Sequence, residues 1–137
     1  MRQAFMVLAG VLMVAVVAQF FFAATGAFDT APNDESFQIH RALGYGILLF
    51  AILTTIVAAV ARMPRHLVAQ TGLVAGLVVV QTLIRAIAGA FGDTGDSSMI
   101  GQLVFGLHAV NALAIMATTV EIFREARAQP APVERSP

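Results

Sequence analysis

His108 and Arg85 stand inside otherwise uncharged apolar runs, His40 stands at the edge of another, and any chemistry of this chain must centre on them. His40 and His108 lie 68 residues apart. Arg85 is the lone charge in a run from Leu67 to Ala90, with Gln81 one helical turn before it. Imidazole titrates near neutral pH and ligates metals. A guanidinium pairs with a carboxylate through two parallel hydrogen bonds. Cysteine is absent, which excludes disulfides, iron–sulfur clusters and thiolate metal sites. A metal here needs His, Met or oxygen ligands. The third histidine, His66, falls in a Met-Pro-Arg-His sequence and reads as a solvated loop residue.

The elements that must position these groups follow from composition. The 137 residues are enough for one small domain, 58% of them hydrophobic and 12% charged. A soluble domain is about 45–50% apolar and about 25% charged. The mean hydropathy of +0.83 agrees. A soluble globular protein is excluded. With zero net charge and no basic patch, so is a nucleic-acid binder. Uncharged runs cover Gln3 to Phe28, Ala42 to Ala61 and Ser97 to Val120, and the Leu67–Ala90 run completes the set. Each is about 20 residues or longer, enough to cross about 30 Å of hydrocarbon as a helix. The first exceeds a signal peptide's usual apolar core and is expected to be retained.

The connections are short, so consecutive helices pack as antiparallel neighbours. The expected fold is an all-α membrane protein, an up-down-up-down bundle of four transmembrane helices. The bundle occupies residues 1–127, and a Pro-rich tail at 128–137 is expected to be disordered and cytoplasmic. Arg2, Arg62, Arg65, Arg124, Arg127 and Arg135 cluster on one side. Arg41 faces Asp29, Asp34, Glu35, Asp93 and Asp96 on the other. Positive residues stay in the cytoplasm. Both termini and the 62–66 turn are therefore expected inside the plasma membrane, and the 29–39 and 92–98 loops outside.

A weak repeat relates the two hairpins. Gln19 leads to Gly26-Ala-Phe28 and an acidic loop; Gln81 leads to Gly89-Ala-Phe91 and another. A histidine-bearing span follows each. His40 is expected six to nine residues into the second span and His108 about ten into the fourth. Both would then sit at similar depth in the outer half of the membrane, on diagonal helices roughly 14 Å apart. That separation is too wide for imidazoles to hydrogen-bond directly and suits imidazole–iron–imidazole across a macrocycle. Gly44 lies one turn beyond His40, and Asn111 and Ala112 one turn beyond His108. Small residues there would admit a porphyrin. They would equally serve close helix packing.

The expected site is therefore haem b ligated by His40 and His108, bordered by Gly44, Asn111 and Ala112. Arg85 and Gln81 approach it from the third span, and Arg41 is near the same surface. Arg85 is expected either to pair with a haem propionate or to snorkel to the interface, and interface anchoring is the competing role for Arg41. Gln19 and Gln81 either bond each other, touch the haem edge or act as polar glue between the first and third spans.

With these residues in view, the chain resembles one four-helix half of the haem A synthase family. The matching segments are Phe37-Gln-Ile-His40-Arg41-Ala-Leu-Gly44-Tyr-Gly46 and Gly106-Leu-His108-Ala-Val-Asn-Ala112. It also resembles small bacterial four-helix membrane proteins carrying the same two histidines. The first resemblance spans residues 3–123 and implies a bis-histidine haem b site and pairing of two copies. The family carries a Glu three residues before its second-helix histidine; Phe37 stands there, which argues against haem hydroxylation. Electron transfer with quinone or a redox partner protein is the expected function. A haem-free membrane binding module and a quinone-linked oxidoreductase subunit are the alternatives.

Overall fold

The computed structural model describes residues 2–91 and 98–128. Those residues form α1 (Arg2–Ala27), α2 (Asn33–Ser36), α3 (Gln38–Val60), α4 (Arg65–Ala90) and α5 (Met99–Ala128), with no strand among them. Four of these helices, α1, α3, α4 and α5, are long and apolar enough to cross a membrane. The chain is a multi-pass membrane protein built as a helical bundle. Of the expected 92–98 loop only Ser98 is described, and the tail beyond Ala128 also lies outside the described residues.

The long helices form a ring. Each of α1–α3, α3–α4, α4–α5 and α5–α1 is a packed pair, whereas the backbones of α1 and α4 stay apart, as do those of α3 and α5. The helices carrying His40 and His108 are thus diagonal, as the up-down-up-down reading requires.

One spacing explains the packing. Apart from Gly26 and Gly101, the buried residues of the described long helices are Phe5, Ala9, Leu12 and Val16 on α1; Ile47, Ala51, Thr54 and Ala58 on α3; Leu67, Thr71, Val74 and Val78 on α4; and Ile115, Thr119, Ile122 and Ala126 on α5. Every set advances by four, three and four residues. That is the heptad seam of helices crossing at a shallow angle. The three buried threonines donate to the carbonyls one turn back, Thr54 to Phe50, Thr71 to Leu67 and Thr119 to Ile115, at 2.7–3.0 Å. Their hydroxyls are satisfied without a cross-helix partner. All these residues lie in the half of the bundle at the arginine-rich α3–α4 turn, the basic half.

That turn is a Schellman stop. The Met63 N–H donates to the Ala58 carbonyl at 2.9 Å and the Arg62 N–H to Ala59 at 3.1 Å. Arg62 takes the left-handed conformation, φ 53°, where glycine is usual. Met63 turns inward, 5% exposed, and Pro64 opens α4. His66 is exposed to solvent, as expected, but it belongs to a helix and not to the loop. It sits in the first turn of α4, and its Nε2 meets Glu125 Oε2 of α5 at 2.6 Å.

The opposite end departs from expectation once more. The acidic turn does not continue into the second span. It forms the separate helix α2, and Phe37, at φ −102° and ψ 13°, breaks the chain before α3 begins. His40 is consequently the third residue of its helix rather than the sixth to ninth. His108 is the tenth residue of α5, as expected. Ser98 starts α5 as its N-cap, its Oγ accepting the Gly101 N–H at 3.0 Å.

Candidate functional site

Extending the four-three spacing beyond the basic half leads directly to the polar residues. On α1 the next seam positions are Gln19, Ala23 and Gly26, and on α4 Gln81, Arg85 and Ala88. On α3, read backwards from Ile47, they are Gly44, His40 and Phe37. On α5, read backwards from Ile115, they are Ala112, His108, Phe105 and Gly101. The same seam changes from apolar to small and polar halfway along. In this histidine half the only fully covered described residues are Gly26 and Gly101.

The two imidazoles face each other across the diagonal, with ring centres 6.3 Å apart and planes tilted by 47°. The ring of Phe37 meets His40 edge-on at 6.0 Å, and that of Phe105 stacks on His108 at 5.1 Å. Each phenylalanine precedes its histidine by three residues. The repeated Phe-x-x-His spelling, 68 residues apart, was the available sequence signal for these two rings.

Gln19 and Gln81 do not bond each other, because α1 and α4 are diagonal. Each instead ties its helix to the neighbouring histidine helix. Gln19 Nε2 donates to the His40 carbonyl at 2.8 Å, and Gln81 Nε2 donates to the His108 carbonyl at 3.0 Å. These equivalent bonds relate the hairpin α1–α3 to the hairpin α4–α5 by a pseudo-two-fold axis along the bundle. The matching is Gln19 with Gln81, His40 with His108, Phe37 with Phe105, and Gly44 with Ala112. It pairs buried Gly26 with Ala88, one residue from the Gly89 suggested by the shared Gly-Ala-Phe; Gly89 is exposed.

The remaining expected residues are placed as follows. Asn111 Nδ2 donates to Gln81 Oε1 at 2.6 Å and to the Leu77 carbonyl at 2.8 Å, so the Gln81–Asn111 pair links α4 to α5. A Cβ at Gly44 would lie 3.2 Å from Gln19 Nε2, so glycine lets that glutamine reach across. Arg41 is bound to α2: its guanidinium donates to the carbonyls of Asn33 and Asp34 and pairs with Asp34 Oδ1 at 3.6 Å. Arg85 makes no hydrogen bond or ion pair among the described residues. It lines a cleft of 540 Å³ with Asn33, Gly89, Ser98, Gly101 and Phe105 at the histidine end of α4 and α5.

Second contacts of the histidines are informative. His40 Nδ1 lies 3.2 Å from the Gln19 carbonyl, the arrangement that holds the proton on Nδ1 and puts the lone pair on Nε2, where the Gln19 amide Nε2 donates to it at 3.3 Å. Among the described residues, buried His108 Nδ1 and Gln19 Oε1 have no hydrogen-bond partner. Among the described residues no three His, Asp or Glu gather as a metal cluster. The donor groups that face each other here are the two imidazoles alone.

A model built for a family of unknown function (DUF6220) matches residues 19–91. The chain belongs to this family. The matched stretch holds Gln19, His40, Arg41, Gly44, Gln81 and Arg85, and ends before the helix bearing His108, Asn111 and Ala112. No curated protein matches, and no solved structure does.

Proposed function

We propose that this member of the family is a small membrane cytochrome b, holding haem b between α3 and α5 through His40 and His108. The spacing of the two imidazoles carries the reading. Two in-line metal–nitrogen bonds of about 2 Å each, with the distance from each nitrogen to its ring centre, put ligating imidazoles about 6 Å apart. The observed ring centres are 6.3 Å apart on helices whose backbones stay apart. The residues beside them are those a flat macrocycle needs, with Gly44 and Ala112 on one side and Ala23 and Gly26 on α1.

Haem b held by His40 and His108 would supply one-electron iron chemistry, and two protein ligands would leave no open position for oxygen or substrate, which favours electron transfer. The chain's own part is to hold two neutral imidazoles at fixed separation and exclude water. The Gln19 carbonyl orients the His40 ring, and Phe105 fixes that of His108 by stacking. Phe37, standing where the resembling haem A synthases have a carboxylate, provides no acid–base group beside the ligand.

The arginine asymmetry supports placing the histidine end outside the plasma membrane, with both termini in the cytoplasm. Electrons would then be exchanged with quinone or an extracytoplasmic redox protein, and two copies would pair. In intact cells, an impermeant thiol reagent should label Asn33→Cys and not Arg65→Cys; the reverse pattern inverts the orientation.

Ligand replacement tests the site. His40→Ala and His108→Ala should each lose the low-spin bis-imidazole spectrum or the haem itself. His66→Ala, at the opposite end, should leave the spectrum unchanged. A spectrum indifferent to both ligand substitutions removes His40 and His108 as the ligands, and a wild-type protein that takes up no haem leaves a haem-free polar site.

A further inference from the structure

Along the seam, the pseudo-two-fold relation between the hairpins is broken at one polar position. Every polar seam residue of the histidine half has a like partner in the other hairpin, but Arg85 on α4 is matched by Ala23 on α1. The break coincides with the 540 Å³ cleft, which Arg85 lines. Its cationic group is uncommitted among the described residues. Ser98, at the start of α5, accepts the Gly101 N–H through Oγ and keeps its own proton to donate. Gly89 leaves the α4 wall free of bulk. Among the described lining residues Arg85 is the one cation, and it stands on α4.

We propose that this cleft is a carboxylate subsite, and that Arg85 selects a tetrapyrrole bearing free carboxylates and fixes which way round it sits. The inference rests on the haem reading and goes beyond it. A macrocycle perpendicular to the His40–His108 line turns its edges toward α1 and α4. Two imidazoles related by a pseudo-two-fold axis accept it equally in two orientations. A cation on α4 alone makes them unequal, because carboxylates gain a charge-assisted bidentate partner on one side and meet the Ala23 methyl on the other.

The test compares haemin with haemin dimethyl ester, whose carboxylates are blocked, on the purified full-length protein. Wild type should bind the ester about tenfold or more weakly, the size of one lost charge-assisted hydrogen bond. Arg85→Ala should bind the two alike. The ferric haem methyl proton resonances should form one set in wild type and two in Arg85→Ala, as both orientations fill. Moving the arginine, in the double variant Ala23→Arg with Arg85→Ala, should restore a single set at altered shifts. One unaltered set in Arg85→Ala, or equal affinity of wild type for haemin and its ester, overturns the carboxylate subsite and leaves histidine ligation standing. Failure of wild type to take up haemin at all overturns both.

Discussion

The basic half and the histidine half of the bundle use one seam and fill it in opposite ways. Toward the arginine-rich turn the seam holds Phe5, Leu12, Leu67 and Ile122, each with no exposed surface, and threonines that satisfy themselves within their own helices. Toward the other end the same four-three steps bring in Gln19, Gly44, His40, Gln81, Arg85, Ala112 and His108, and large covered side chains cease. In a bilayer, where lipid tails are as apolar as leucine, helices associate through packing and interhelical hydrogen bonds. The basic half supplies the packing, and the glutamines supply hydrogen bonds where packing stops. One half is a clamp, and the other is held open by it.

Filling the open half should have the largest effect. In Ala112→Leu a branched side chain enters the seam one turn from His108. Haem occupancy should collapse, while thermal unfolding in detergent, followed by circular dichroism, changes little. The mirror experiment empties the packed half. Leu12→Ala removes a side chain with no exposed surface and should cost about 2 kcal/mol or more, lowering the unfolding temperature while leaving the shape of the absorption spectrum unchanged. If Ala112→Leu leaves occupancy intact, or Leu12→Ala changes the ligation spectrum, the two halves are not separable in this way.

A smaller effect sharpens the contrast. Gln81→Leu removes the bond to the His108 carbonyl and leaves Asn111 with the Leu77 carbonyl alone. Interhelical hydrogen bonds in membranes are worth about 0.6 kcal/mol on average, and at most about 1.7. The expected loss of stability is of that order, accompanied by a broadened distribution of His108 ligand geometry in the electron paramagnetic resonance spectrum of ferric protein. The same substitution in the basic half, Thr54→Val, should leave that spectrum alone, since Thr54 bonds only its own helix.

How legible these features were depended on their range along the chain. The spans were plain because a charge in hydrocarbon is costly, and its absence over 20 residues leaves little choice. The diagonal placement of His40 and His108 followed from short connections. The break at Phe37 was hidden: the acidic turn reads as a helix start, and the ring's close approach to Gly26, where a Cβ would stand 3.0 Å from it, is a tertiary contact. The partner of His66 was hidden for the same reason, since Glu125 is 59 residues away. The roles of Gln19 and Gln81 became clear only with the ring order of the helices. The seam spacing itself was present in the sequence, but apolar spans hide it, because lipid-facing and buried positions are equally hydrophobic.

The central claim is that the space in the histidine half is shaped for haem b between two imidazoles. Titration of the purified, haem-free protein with ferric haemin, followed by absorption spectroscopy before and after dithionite, tests it most directly. The account predicts saturation at one haem per chain, with a low-spin bis-imidazole spectrum in both oxidation states and an uptake that weakens as acid protonates the free imidazoles. A preparation that stays colourless, or that binds haemin only as a high-spin or unsaturable species, contradicts it.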